Sequence, residues 1–428
     1  MWTAAAADRT PHEVYRARRV ALAKKTQGGA VLLFAGRDPK DEHFRFRQDS
    51  NFYYLTGWEE PNAALLLMAA RPARGTLPAR PYTEILFVPE PDTWREFVGG
   101  PMLSASNPAA SSISGVDRVE FLGKLGEEAR RLFETSRSPI YVMQLNSDAD
   151  PQSKAALQAL RRAHSLGAGP LIDAEPILKS MRMVKDEYEV ALLRDAVNAS
   201  AASHLKAFGA VRPGRYEYEI AALMQSEFQM RGCERPAYPP MVGSGLNSAY
   251  PHAFKNSSRM EAGDLVVIDV GGECSMYAAD ITRTLPVNGK FSPRQRELYN
   301  LVLDTQEQMV KSFQLGKSRL FGGPDSLEDI GRAYIHSRNQ NIEGQLLTDL
   351  GRIGHFVGLD VHDLGDYSAP LARGNVFTLE PGIYLPEEGL GIRIEDMYWV
   401  NPAGKLVKLT AALPSSAEDI ERLMKAPH

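Results

Sequence analysis

The stretch "LVVIDVGGECSMYAADITRTLPV", Leu265 to Val287, sets two aspartates, Asp269 and Asp280, in a run of Leu, Val and Ile. The apolar residues read as a buried strand. A carboxylate there loses its hydration at a cost of several kcal/mol unless a positive or hydrogen-bonding partner compensates. The same half of the chain repeats the pattern with Glu380 in "FTLEPG" and Glu395 in "IRIEDM", and adds His355 and His362 in "GHFVGLDVHD". In "GIRIEDM" the strand alternation places Ile392 and Ile394 on one face and Arg393 with Glu395 on the other. Asp269 and Asp280 are expected to oppose one another across two strands joined by the "GGECSMY" turn.

Four carboxylates brought together repel, and each is driven toward protonation unless cations enter. Two divalent ions would neutralise them. A set of carboxylates with the single imidazole of His355 is oxygen-rich, which suits manganese or cobalt and tolerates zinc. Two such ions sharing a hydroxide would hydrolyse a carbonyl or phosphoryl compound. Bland readings stand beside this one. His362 alone reads as a hydrogen-bonded structural histidine, and "RIED" as an exposed, salt-bridged strand. The joint occurrence of buried acids in one half of the chain favours the metal reading.

With 428 residues the chain exceeds the size of most single cores, so two domains are expected. Apolar residues at 43% and charged residues at 24% are the balance of an ordinary globular protein. A net charge of -4 with no basic block gives no electrostatic reason to expect nucleic acid or a membrane surface as a partner. Asp8, Arg9 and Glu13 interrupt the start of the chain where a secretory signal would be apolar, so a cytoplasmic location is the default expectation. Cys233 and Cys274 do not form a CxxC pair. They are expected to be reduced, buried small hydrophobes rather than a disulfide or a zinc site.

Residues 1–174 alternate helical patterns with short apolar runs: "GAVLLFAG", "NAALLLMAA", "TEILFVPE" and "PIYVMQL". That alternation indicates an α/β domain. "GGPMLSASNPAASSISG", residues 99–115, reads as a surface loop within it. Residues 175–428 open with an amphipathic helix over Lys185 to Phe208, and continue with helices and turn-rich strands. An α+β domain with a mostly antiparallel sheet is expected there.

At these acidic and histidine segments the sequence resembles the pita-bread metallopeptidases, in the aminopeptidase P and prolidase branch. The resemblance covers nearly the whole chain. "LVVIDVGGECSMYAADITRTLPVNGKFS", "GHFVGLDVHDLG", "FTLEPGIYL" and "GIRIEDMYWV" look like the family's ligand segments. It implies a curved, mostly antiparallel pita-bread catalytic domain, with Asp269, Asp280, His355, Glu380 and Glu395 as ligands of two divalent metal ions, Mn2+ foremost. "FRFRQDSNFYYLTGWEEPNAALLL" is similar to the N-terminal domain of bacterial aminopeptidase P, and "YPPMVGSGLNSAYPHAFKNS" to the segment carrying a substrate-site histidine, His252.

The activity implied is hydrolysis of Xaa-Pro bonds by a metal-bridging hydroxide, with proline-containing peptides or dipeptides as substrates. Glu380 would relay the proton while also ligating. His362 and His252 would hydrogen-bond the substrate, and Arg393 and Tyr384 would support or contact it. A homodimer or homotetramer is implied as well. Relatives commonly carry a further histidine four residues before the His355 position, where this chain has Gly351. Aminopeptidase and dipeptidase readings therefore both stay open. The contrasting readings are a non-catalytic peptide- or protein-binding module and a dimetal hydrolase of other peptides or phosphoesters.

Overall fold

The computed structural model describes residues 10–38, 45–73, 75, 79–135, 139–143, 154–155, 157–158, 160–162, 170–338, 345–346 and 353–425. Gly351 and the last two residues of "PIYVMQL" lie outside them. The chain forms two compact units, Met1–Leu178 and Lys179–His428. Among the described residues no helix is long and apolar enough to cross a membrane.

In the first unit the runs "AVLLF" and "ALLLM" carry no polar alternation, and such strands are stable only when covered on both faces. They form β1 (Ala30–Phe34) and β2 (Ala64–Met68), followed by β3 (Thr83–Val88), β4 (Arg118–Phe121), β5 (Ile140–Val142) and β6 (Leu171–Asp173). The sheet order is β4-β3-β2-β1-β5-β6. Its β1–β2 and β2–β3 pairs are antiparallel, and β3–β4, β1–β5 and β5–β6 are parallel. Leu32, Phe34, Leu66, Phe87, Leu122 and Leu125 meet in its core. Fully buried Glu84 is held by Arg19 through Nε at 2.8 Å and Nη2 at 3.0 Å. The 99–115 segment expected as loop contains the short helix Ala110–Ser114, closed by Gly115 at φ 66. The carbonyl of Gly115 accepts from Arg19 at 2.6 Å, so the end of this segment is tied to the core rather than loose on the surface.

The second unit is built from β7 (Arg235–Pro236), β8 (Met241–Ser244), β9 (Leu265–Asp269), β10 (Gly272–Cys274), β11 (Tyr277–Ala278) and β12 (Thr282–Pro286). β13 (Gln345–Leu346), β14 (Val376–Leu379), β15 (Gly382–Leu385), β16 (Leu390–Arg393), β17 (Asp396–Val400) and β18 (Leu406–Lys408) complete it. All described pairings here are antiparallel, in the orders β12-β9-β8, β11-β10-β7, β13-β15-β16 and β14-β17-β18. The helix Glu187–Ala210 packs on β10 and β11, and the helix Pro293–Lys311 on β15 and β16. Each starts at a capping box, Asp186 with Glu189 and Ser292 with Gln295, which satisfies the first free backbone donors.

Two expectations are corrected. Asp269 faces Thr282 across β9 and β12, not Asp280. The chain between them is no simple turn, because "GGECSMY" folds into its own hairpin, β10 and β11, turned at Ser275 and Met276 with φ of 52 and 69. Cys233 and Cys274 are joined in a disulfide, where free buried thiols were expected. Cysteine count and spacing say nothing of which strand the C-terminus of the helix Glu217–Met230 meets; the fold brings Cys233 against β10.

Gly271 marks the point where the hairpin leaves β9. A Cβ there would lie 1.9 Å from the Ala279 carbonyl oxygen, so the two backbones could not keep this approach. Gly271→Ala is expected to cost about 1–3 kcal/mol in urea unfolding and to weaken metal retention, since Asp269 and Asp280 flank the crossing. Stability within about 0.5 kcal/mol of the parent would refute this role for the glycine.

Candidate metal centre

The strand order sets the site. Thr282 at the start of β12 pairs with Asp269 on one side and bridges to Glu395 on the other. Strand alternation then puts Asp280, Thr282 and Thr284 toward one side. The hydroxyl of Thr282 donates to Glu395 Oε2 at 2.8 Å, and that of Thr284 to the Arg393 carbonyl at 2.9 Å. His355 arrives on a loop fixed to β14, with its carbonyl accepting from Thr378 N at 2.8 Å and its own N–H donating to Thr378 Oγ1 at 3.1 Å. Glu380 follows β14, its N–H donating to the Ile353 carbonyl at 3.1 Å.

His355 Nε2 lies 3.2 Å from Asp280 Oδ2, 3.5 Å from Glu380 Oε1 and 3.8 Å from Glu395 Oε1. Nδ1 stands 3.2 Å from the Phe356 carbonyl, which orients the ring with Nε2 toward the carboxylates. Asp269 stands beside this group in the grip of Arg393 Nη2 at 2.6 Å and the Tyr238 hydroxyl at 2.6 Å. Arg393 is buried and also donates to Tyr384 Oη at 2.6 Å, Thr282 Oγ1 at 3.1 Å and the Pro251 carbonyl at 3.2 Å. The polar face expected for "GIRIEDM" is therefore turned inward, not out to solvent.

His362 meets the His355 ring edge-on at 4.3 Å between centroids. His252 is placed less closely. It follows Pro251, has its ring 5.6 Å from Phe254 and feels the positive charge of Arg393. The cluster of acids thus brings together Asp269, Asp280, His355, Glu380 and Glu395, with Arg393, Tyr384 and His362 around it. Tyr238, Thr282 and Thr378 were not singled out in the sequence. The period of two from Asp280 could have pointed to Thr282; Tyr238, in the Pro-rich "AYPPMV", carries no such signal.

Crowding shows in the proton affinities of the metal-free protein. Burial pushes Asp269 up to about 6 against the pull of Arg393, with Asp280 adding to the rise. Glu380 is pushed up to about 7 by burial, and Glu395 well above the carboxylate range by burial and its three acidic neighbours. Burial opposes charge on His355, but Asp280 and Glu380 outweigh it and raise the imidazole to about 9. Asp280, although buried, is held low by His355.

Divalent metal ions fit these residues. Oxygens of Asp280 and Glu395 and a ring nitrogen of His355 lie within 4.8 Å of one another. Among the described residues Glu395 Oε1 is buried with no hydrogen-bond partner, an acceptor left for a cation. The set is oxygen-rich with one nitrogen, and the surrounding threonine, tyrosine and arginine contacts orient the ligands as outer partners of metal sites do.

The proton affinities predict a pH signature. His355, Glu380 and Glu395 bind protons more tightly folded than unfolded, so the stability they contribute is lost as pH rises through their folded values. The metal-free protein is expected to show a Tm that falls from pH 7 to pH 9. Manganese should raise Tm more at pH 8.5 than at pH 6.5, because bound protons compete with metal at the lower pH. Scanning calorimetry with chelator and with metal checks both; a flat metal-free profile over that range would contradict the assignment.

The geometry has counterparts. Residues 191–402 match metallopeptidase family M24, and residues 15–141 match the N-terminal domain of aminopeptidase P. The chain is 33% identical to Xaa-Pro aminopeptidase of Escherichia coli (strain K12), over 96% of its own length and 97% of the relative's. It is similar to the structure of E. coli aminopeptidase P with the inhibitor Pro-Leu, at a TM-score of 0.84 and 32% identity, covering 97% of this chain and 98% of that one. The zinc-substituted E. coli enzyme in complex with product superposes with a TM-score of 0.83, at 32% identity and the same coverage. Agreement in both halves, at this identity, along nearly all of both chains leads to one conclusion: the chain belongs to the aminopeptidase P family of M24 metallopeptidases.

Proposed function

We propose that the chain is a metal-dependent exopeptidase that cleaves the amide bond preceding proline and releases the N-terminal residue of a peptide. The observation that carries the reading is the buried Asp280, His355 and Glu395 cluster, with Asp269 and Glu380 beside it, in a chain matched along nearly its whole length by Xaa-Pro aminopeptidases. Those names favour the aminopeptidase over the dipeptidase. Asp269, Asp280, His355, Glu380 and Glu395 would hold two divalent ions, manganese foremost with cobalt or zinc as alternatives. Bound there, such ions acidify water and polarise a carbonyl.

The protein's own groups supply the rest. Glu380, beside His355 at 3.5 Å, would accept a proton from the attacking water and pass it to the leaving proline nitrogen. Arg393, with its guanidinium 2.6 Å from Asp269, would hold that carboxylate in place and favour its charged form. His362, packed on His355, and His252, on the loop beside the Pro251 carbonyl, would hydrogen-bond the substrate. Tyr384, oriented by Arg393, would contact it. A proline nitrogen has no N–H and its ring fixes φ, so a shaped pocket can demand both.

The division of labour proposed is an aminopeptidase P-type domain over 1–174 and the catalytic domain over 175–428. A homodimer or homotetramer is proposed; Trp94, Phe97 and Val98 leave an apolar face of the helix Thr93–Gly99 exposed, which a second copy would cover. A cytoplasmic location is proposed, against which stands the Cys233–Cys274 bond, since that compartment keeps thiols reduced.

The test is product release from Gly-Pro, Ala-Pro and an Xaa-Pro tripeptide by the manganese-loaded protein. Cleavage of the tripeptide to a free amino acid and a prolyl dipeptide is expected. Turnover of the dipeptides alone would make the chain a dipeptidase, and no turnover with manganese, cobalt or zinc would end the proline-peptidase reading. Glu380→Gln should lower kcat by at least about 100-fold. Full activity in that variant would remove Glu380 from proton transfer.

A further inference from the structure

Ahead of the helix Glu187–Ala210, Arg182 and Lys185 are cations with 1% and 5% exposure, a placement that a charged side chain tolerates only against a fixed counter-charge. Both turn to Asp363, itself 3% exposed. Lys185 Nζ donates to Asp363 Oδ2 at 2.8 Å and Arg182 Nη2 to Asp363 Oδ1, while the same Nη2 reaches Asp360 Oδ2 at 2.7 Å. Asp363 follows His362 directly. Its own N–H donates to the Phe356 carbonyl at 2.8 Å, and Phe356 follows His355. The two histidines therefore sit one residue before each end of a single backbone hydrogen bond. Their 4.3 Å ring contact depends on where Asp363 is held.

The loop leaves no slack. A Cβ on Gly358 would lie 2.0 Å from Asp363 Oδ2 and 3.0 Å from Lys185 Cε, inside the ion pair. A Cβ on Gly365 would lie 1.9 Å from the Phe356 ring. The segment bearing the cations is fixed on its other side as well. Lys185 N donates to the Gly374 carbonyl at 2.9 Å, and Asn375 Nδ2 donates to the Met183 carbonyl at 2.8 Å, just before the strand Val376–Leu379 that leads into Glu380.

We propose that Arg182, Lys185 and Asp363 are positioning residues, a buried charge clamp that sets His362 against His355 and ties the histidine loop to the strand leading into Glu380. None of the three touches the reacting atoms; they act through the residues they hold. The proposal rests on the peptidase reading only for its activity arm, and its metal-binding arm stands without any substrate.

Four variants test it. Lys185→Met keeps the stem length and leaves Arg182 to neutralise Asp363; Gly358→Ala changes no charge and wedges the ion pair apart. Each is compared with the parent by circular dichroism and thermal unfolding, by calorimetric titration with Mn2+, and by kcat and KM on the Xaa-Pro tripeptide. Manganese affinity and kcat are expected to fall about 10–100-fold in folded protein, as for other residues that orient metal ligands, with kcat reduced more than KM is raised. Arg182→Lys, which preserves a cation at Asp363, should lose less than Arg182→Met. If Lys185→Met fails to fold, Gly358→Ala decides. Parental manganese affinity and kcat in folded Gly358→Ala or Lys185→Met protein overturn the proposal. An inactive parent that still shows the affinity loss in its variants would instead reject the peptidase reading and keep the clamp.

Discussion

Like charges held out of water govern this molecule. Asp269, Asp280 and Glu395 are buried and Glu380 is mostly so, around one imidazole. In the metal-free protein they share the strain by taking up protons, which is why Glu380 and Glu395 rise and His355 stays charged toward alkaline pH. Cations relieve the same repulsion without protons. Arg393 is a permanent positive charge beside the cluster, and by fixing Asp269 it leaves the other acids to compete for a mobile partner. The sheet has to hold these groups together against their repulsion, and it does so through close strand crossings and threonine hydroxyls.

That packing explains features that look unrelated along the chain. Gly271 lets two backbones touch where the hairpin leaves β9, so that Asp269 and Asp280 approach from different directions. Glu395 and Asp396 are neighbours in sequence but face opposite sides of their strand. Glu395 enters the cluster, whereas Asp396 is neutralised by Arg283 at 2.7 Å and Lys408 at 2.8 Å. The same logic operates at Asp363, where two buried cations hold an acid that would otherwise be as costly as those in the centre. A buried pair of this kind adds little net stability, yet removing one partner is severe, so it acts chiefly as a constraint on geometry.

Much of this was legible before any fold was known. An acid in an apolar stretch violates burial rules, and four of them in one half of the chain violate them together, so a metal centre was to be expected at Asp269, Asp280, Glu380 and Glu395 with His355. The helix limits Lys185–Phe208 followed from spacing, and the observed helix, Glu187–Ala210, lies within two residues at each end. The hairpin register failed because period-two alternation fixes which residues share a face, not which residue lies opposite. The cysteines failed for a related reason: residues 41 apart in sequence meet only through the packing of a helix end on a strand.

What the sequence by itself determined is the chemistry available: which residues must be buried, which of them are charged, and that their sum calls for cations. Those are local properties, set by side-chain type and short-range periodicity. Only the tertiary structure decided the partners, namely Arg393 for Asp269, Thr282 for Glu395, Tyr238 at the edge of the cluster, and the Arg182–Lys185–Asp363 clamp beneath the histidines. These contacts join residues far apart in the chain. Their pairing depends on how the strands and loops cross, and on which buried charge is left without water once they have done so.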